Sequence, residues 1–293
     1  SSDGSKVAIG SSGSNGNGTG SGAGHVSVYQ LLNNTWEKIG QDIDGEAAGD
    51  WSGYSVSLSG DGNRVAIGAI FNDGGGINAG HVRVYQYANN SWTQIGSDID
   101  GYSSNGNING GAGYSVSLSG DGNRLIMGSP HSPTSYGRVY HYENNTWSGV
   151  TPIWANNPGD LNVPLGWSVS MSRDGNTVAV GDRNYDININ ADNSGRVFVM
   201  RYINNFWTKV DSLYGSAAGE YYGSSVSLSA NGDRLAVGSP GNHPNGKVSV
   251  YETGYAANNT CPVAVNDTIK LYGPFGPQHI GMMYVVPNGN ELG

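Results

Sequence analysis

Gly53-Tyr54-Ser55-Val56-Ser57-Leu58-Ser59-Gly60-Asp61-Gly62-Asn63-Arg64-Val65-Ala66-Ile67-Gly68 is the stretch from which the rest of the chain is read. It returns at 113–128 as Gly-Tyr-Ser-Val-Ser-Leu-Ser-Gly-Asp-Gly-Asn-Arg-Leu-Ile-Met-Gly. Two further copies stand at 166–181 (Gly-Trp-Ser-Val-Ser-Met-Ser-Arg-Asp-Gly-Asn-Thr-Val-Ala-Val-Gly) and 223–238 (Gly-Ser-Ser-Val-Ser-Leu-Ser-Ala-Asn-Gly-Asp-Arg-Leu-Ala-Val-Gly). Half a copy opens the chain, Ser2-Asp3-Gly4-Ser5-Lys6-Val7-Ala8-Ile9-Gly10, and a degraded version of the other half closes it at 281–293. Self-similarity of this kind marks a repeat array.

The unit predicts a β-hairpin. Val56 and Leu58 alternate with Ser55, Ser57 and Ser59, which gives one apolar face and one small polar face, the period of a half-buried strand. Asp-Gly or Asn-Gly follows, residues that tolerate the positive φ of a tight turn. Arg64-Val65-Ala66-Ile67-Gly68 is the expected returning strand. After a variable loop, a third strand is expected at Gly24-His25-Val26-Ser27-Val28-Tyr29 and its copies at 80–85, 137–142, 195–200 and 246–251. A fourth begins at Asn33-Asn34-Thr35-Trp36, with Trp92, Trp147 and Trp207 in the same place and Cys261 in the fifth copy.

Four antiparallel strands and one large apolar anchor per repeat describe a propeller blade. The expected fold is all-β: a β-propeller of five repeats with four-stranded antiparallel blades, its ring closed by N- and C-terminal strands of one blade. The whole chain, 1–293, is expected to be one domain, with repeats near 1–52, 53–112, 113–165, 166–222 and 223–280, and 281–293 completing the first blade. The four tryptophans are expected to be buried between blades. Because the chain begins inside a repeat, a processed form or a fragment is expected.

Composition agrees with strands and turns. Glycine makes up 48 of 293 residues and charged residues only 13%, about half the usual charged share. The formal net charge is −9 with no Lys/Arg cluster, which argues against nucleic acid and anionic membranes as partners. No apolar run reaches the length of about 18 residues that a membrane helix needs. The single cysteine excludes an internal disulfide framework.

The 54–68 phrase and Gly80-His81-Val82-Arg83-Val84-Tyr85 resemble FG-GAP-type repeats of bacterial and algal surface proteins, a family related to the integrin α-chain propeller. The resemblance covers 1 to about 255 well and the remainder loosely. It implies an extracellular or cell-surface β-propeller used for adhesion or as a scaffold. It also implies comparison with the calcium loops of integrin-type repeats, Asp-x-Asp-x-Asp-Gly-x-x-Asp. Here that connection is shortened to Ser59-Gly60-Asp61-Gly62-Asn63-Arg64, and one carboxylate does not serve a cation that wants six to eight oxygens. No metal is expected there. A weak alternative is the stretch containing Asp182, Asp186 and Asp192, where oxygen side chains fall on every second residue, although a solvated loop is the plainer reading.

Sequons place candidate glycosylation at Asn17, Asn33, Asn89, Asn144, Asn258 and Asn266. Asn-Asn also has its own structural reason, since asparagine accepts the backbone of a two-residue hairpin turn. Catalytic groups are scarce: His25, His81, His131, His141, His243 and His279 form no metal-spaced cluster, and no nucleophile elbow or phosphate loop is present. No cofactor is expected.

In a four-stranded meander the uniform Asp-Gly and Asn-Asn turns share one rim, and the variable loops share the other. Recognition belongs to the variable rim, with Trp51, Tyr102, Trp154, Tyr185 and Tyr221 as candidate ligand residues. The expected function is a non-enzymatic extracellular adhesion or scaffold propeller, a building block of a surface assembly or filament. The alternative is a lectin-like carbohydrate-binding module. Protein or glycan ligands and self-association are the expected partners, without nucleic acid or membrane insertion.

Overall fold

The predicted hairpin recurs in a computed structural model that describes residues 1–16, 19–101, 111–131, 136–149, 165–186, 193–242, 244–253 and 264–269. Ser52–Leu58 pairs with Arg64–Ala69, that strand with His81–Ala88, and the third with Ser91–Gln94 and Ile99–Asp100. The same antiparallel meander forms blade 3 (Ser115–Leu118, Arg124–Ser129, Tyr136–Glu143, Thr146–Gly149) and blade 4 (Ser168–Met171, Thr177–Asp182, Arg196–Ile203, Phe206–Tyr214). Blade 5 consists of Ser225–Leu228, Arg234–Ser239, Lys247–Glu252 and Ala264–Ile269. Blade 1 has Lys6–Ser11, His25–Leu32, Thr35–Lys38 and Ile43–Asp44, and lacks a first strand among the described residues. The segment 281–293, expected to supply that strand, lies outside the described residues, as does Cys261.

Blades stack through both faces of their strands. Val26, Val28, Ile39 and Ile43 of blade 1 meet Val65, Ile67 and Trp92 of blade 2, whereas Ala66, Val82 and Val84 turn to Val116, Leu118, Leu125 and Met127 of blade 3. Two more interfaces of the same kind follow, between blades 3 and 4 and between blades 4 and 5. Double-sided burial explains why the second strands are almost wholly apolar while the first strands alternate.

The small polar face of the first strand also has an interblade purpose, which the alternation alone does not reveal. Ser55 Oγ donates to Gly113 O at 2.7 Å, Ser115 Oγ to Gly166 O at 3.0 Å, and Ser168 Oγ to Gly223 O at 2.8 Å. In return Ser57, Ser117 and Ser170 accept from the backbone N–H of Leu118, Met171 and Leu228. These bonds hold successive first strands side by side.

At the uniform rim a second belt joins the turns. The amide of Ser2 donates to Gly60 O, that of Gly60 to Gly120 O, that of Gly120 to Arg173 O, and that of Arg173 to Ala230 O, all within 2.7–2.8 Å. The residue before the turn glycine is the keystone: Asp121 Oδ1 accepts from Ser119 Oγ at 2.5 Å and from the Asn123 amide at 3.0 Å, and Asn231 takes the same part in blade 5. Arg124 then reaches Gly175 O and Asn176 of the next blade and lies over Tyr202.

The burial expected of all four tryptophans holds for two. Trp92 and Trp147 are buried, and their indole N–H groups donate to Ile39 O and Ile95 O of the preceding blade. Trp207 is half-buried. Trp36 is 47% exposed, because no blade among the described residues lies in front of blade 1 to receive it.

Candidate functional site

The strand register fixes which loops share an end. Ser52, Ala69, His81 and Asp100 lie side by side across blade 2, so the four–one connection, the 70–79 loop and the Asp98–Asp100 segment meet at the variable rim. Before each first strand the chain must turn sharply, and Trp51 and Tyr221 take the same position there with φ of 58° and 51°. A bulky residue is rarely held in that left-handed region. The residue in front locks it. Asp50 accepts from the Ala47 amide and Asn72 Nδ2. Glu220 likewise accepts from Ser216, Ala217 and Asn242. Burial pushes the Glu220 carboxyl up, but these hydrogen bonds outweigh it and hold it below its ordinary value.

From Trp51 an arc of rings runs across blades 2 to 4. Phe71 meets Trp51 edge-on at 5.0 Å, Tyr54 stacks beside it at 6.5 Å, Tyr114 lies 5.1 Å from Tyr54, and Trp167 lies 4.9 Å from Tyr114. Tyr54, Tyr114 and Trp167 occupy one repeat position, immediately before the Ser-Val-Ser run, so the interblade serine bonds bring them together. The Arg183 guanidinium caps the arc, 3.8 Å from the Trp167 ring centre and 5.3 Å from that of Tyr221. Exposed His131 stands in the angle between Tyr114 and Trp167, at 5.6 and 5.9 Å. Partial burial, and then the nearby Arg183 charge, hold its imidazole below the ordinary histidine value, so it is neutral at neutral pH. Burial and then its hydrogen bond with Tyr54 push the Tyr114 phenol up, so it stays protonated.

Beyond Phe71 a cleft of about 320 Å³ opens between blades 1 and 2, its walls including Glu46, Asp50, Asn72 and Asp73. Behind it lies a cluster of Glu46, His81 and Asp98, the one group of three metal-competent side chains found among the described residues. His81 is buried and held down to about 4 by burial and then by Arg83, against the opposing pull of Asp98.

The FG-GAP repeat family matches residues 43–85. The chain thus carries an FG-GAP repeat within a β-propeller fold. No curated protein matches its sequence. In fold it is similar to the periplasmic gluconolactonase of Pseudomonas aeruginosa, at 16% identity and a TM-score of 0.55, covering 92% of this chain and 70% of that one. A proposed 6-phosphogluconolactonase from Bacteroides uniformis gives 12% identity and a TM-score of 0.52, covering 86% and 66%. A protein of unknown function from Desulfotomaculum acetoxidans gives 12% and 0.55, covering 90% and 67%. This chain thus spans about two thirds of the length of these structures, and at such identities the likeness is one of fold.

These neighbours correct the expected function. A non-enzymatic adhesion or scaffold role, with a lectin-like module as its alternative, rested on the propeller architecture and on the lack of a familiar catalytic motif. Propellers of the same fold include proteins named as gluconolactonases, which are enzymes, so repeated blades give no ground for setting catalysis aside.

The propeller places the expected site residues unevenly. Trp51 and Tyr221 lie on the arc, whereas Tyr185 packs against Tyr214 and the Arg196 guanidinium. Tyr102 and Trp154 lie outside the described residues, as do Asp192, Asn17 and Asn258. Asp182 is no ion ligand facing solvent: it is fully buried and paired with Arg196 Nε at 3.1 Å, because it ends the second strand opposite the start of the third. Asp186 accepts from the Asn193 amide at 2.6 Å. Asn33, Asn89 and Asn144 are exposed first residues of two-residue turns with φ of 50–51°, while Asn266 lies in the strand Ala264–Ile269. His131, Arg183, Tyr54 and Tyr114 were not singled out from sequence. Their common repeat position before Ser-Val-Ser would have flagged the two tyrosines and Trp167.

Proposed function

We propose that the variable rim is a hydrolytic site for cyclic esters, with the Tyr114–Trp167 face as the platform for the ring, Arg183 as the electrophile and His131 as the general base. The observation that carries this reading is the placement of a guanidinium and a neutral imidazole against the same half-buried indole. An aromatic face takes a flat, partly apolar ring. The guanidinium lying over the Trp167 ring donates to a carbonyl oxygen as negative charge develops on it. A neutral histidine removes a proton from water.

In the proposed step, water adds to the lactone carbonyl carbon while His131 accepts its proton and Arg183 stabilises the oxyanion. Collapse of the tetrahedral intermediate breaks the ring C–O bond, and the imidazolium returns the proton to the departing oxygen. The product is the open hydroxy acid. The lactonase names of two fold neighbours supply the first substrate class to try and carry no weight beyond that.

The test is proton release from δ-gluconolactone and from five- and six-membered lactones, measured above the buffer rate. Hydrolysis by the wild type is expected to fall about 10²–10⁴-fold in kcat for His131→Ala and about 10²–10³-fold for Arg183→Gln, with Trp167→Ala acting mainly on KM. Hydrolysis at the buffer rate for every lactone, or activity indifferent to both substitutions, would overturn the proposal.

A further inference from the structure

We propose that Glu46, His81 and Asp98 form a binding site for a divalent transition-metal ion of the zinc type, at the junction of blades 1 and 2. The geometry has three parts. His81 is fully buried at the start of the third strand of blade 2, and its Nδ1 has no hydrogen-bond partner. A buried polar nitrogen left so is costly unless something else meets it. Around that nitrogen stand Asp98 Oδ2 at 3.6 Å and Glu46 Oε2 at 3.9 Å, and the three candidate ligand atoms lie within 4.8 Å of one another.

The second part is how the carboxylates are aimed. Arg83 Nη1 approaches Glu46 Oε1 at 3.3 Å, and Gln94 Nε2 donates to Asp98 Oδ1 at 2.6 Å. Asp98 thus has one oxygen tied and the other turned toward His81, while Glu46 Oε2, which also faces His81, accepts from Asn72 Nδ2 at 3.3 Å. Outer donors that orient ligating side chains in this way are characteristic of metal sites.

The third part is the contrast with blade 1. There His25 Nδ1 is met by Ser14 Oγ at 2.7 Å, and Asp42, the counterpart of Asp98, is occupied by Ser27 and Lys38. The same backbone positions are thus internally satisfied in one blade and left open in the other.

One imidazole and two carboxylates suit zinc, cobalt or manganese, whereas calcium and magnesium prefer all-oxygen sets. Ligands about 2.1 Å from a tetrahedral ion lie about 3.4 Å apart, so the two partly exposed carboxylates close inward by roughly an ångström while His81 stays in place. This proposal is independent of the hydrolytic reading at Tyr114, Trp167, His131 and Arg183, and its test reads binding rather than activity.

The experiment is calorimetric titration of the chelator-stripped chain with Zn²⁺, together with Co²⁺ titration followed by visible absorption. One saturable equivalent of Zn²⁺ is expected, with the intense d–d bands of tetrahedral Co²⁺ and no binding of Mg²⁺. Glu46→Gln and Asp98→Asn, both at partly exposed positions, should each weaken Zn²⁺ binding by at least about tenfold, the loss that even an outer-shell change causes. Asp42→Asn should leave it unchanged. Absence of a 1:1 phase in the wild type would overturn the proposal, and so would unaltered affinity in either variant or an equal loss in Asp42→Asn. The Co²⁺ spectrum of the wild type decides the case if a variant does not fold.

Discussion

His131 and Arg183 belong to different blades and to loops without common pattern, and they share a site only because both lean on Trp167. If His131 is the general base, activity appears as its imidazole loses a proton. Burial and the Arg183 charge hold that event below the ordinary value of 6.5. The acid limb of kcat/KM should therefore have its midpoint below 6.5, and Arg183→Gln, by removing a repelling charge, should move the midpoint upward in whatever activity survives. A pH–rate profile of the two proteins checks this. Glycine matters at the same scale. A Cβ on Gly128 would collide with the Gly166 carbonyl of the next blade, whereas one on Gly238 meets, among the described residues, Ser225 of its own blade. Gly128→Ala should cost about 1–3 kcal/mol, and Gly238→Ala distinctly less, as read from denaturant midpoints. The repeat showed that these glycines matter but not which of them has a neighbour.

At the scale of the element, the hairpin is what the sequence states most openly. Serine alternation, the Asp-Gly turn and the apolar return strand are all where residues 53–68 put them. Less legible was what the turn does beyond turning. Asp61, Asp121 and Asp174 each feel burial, which pushes the carboxyl up, and hydrogen bonds from a serine and an asparagine, which outweigh it and leave the group below its ordinary value of 3.8. The sign follows: a carboxyl with a lowered folded value stabilises the fold fully above its unfolded value and loses that contribution as pH falls through the folded one. Asp121→Ala should thus be clearly less stable than the wild type at pH 6, and the gap should narrow below about pH 3. Thermal melts across that range test it. A short sequence motif does not disclose such a bond network, because Ser119 and Asn123 gain their partners only when the turn is closed.

At the scale of the molecule, one blade pressed on the next is the unit of stability. Trp92 is 3% exposed and bonded to the blade in front, while Trp36, its copy, faces outward. Trp92→Ala should cost about 3–5 kcal/mol and Trp36→Ala no more than about 1 kcal/mol, a difference that equilibrium unfolding would expose. The sequence treats the two tryptophans as identical, since repeat position carries no information about whether a neighbour exists. The candidate site was hidden for a related reason. Its residues come from three blades, and only the curvature of the stack brings Tyr54, Tyr114, Trp167, His131 and Arg183 to one rim. The hidden metal-competent cluster likewise spans two blades.

The belt of turn amides has a kinetic consequence. The Gly122 amide donates within its own turn, to Ser119 O, so local fraying is enough to let its hydrogen exchange with solvent deuterium. The Gly120 amide, two residues away on the same turn, donates to Arg173 O of the next blade. Its exchange requires the two blades to part. In a deuterium-exchange time course Gly120, Gly60 and Arg173 should therefore be slow and share one opening rate, while Gly122 and Gly62 beside them exchange fast. Equal rates within each turn would show that neighbouring blades separate as easily as a single turn frays.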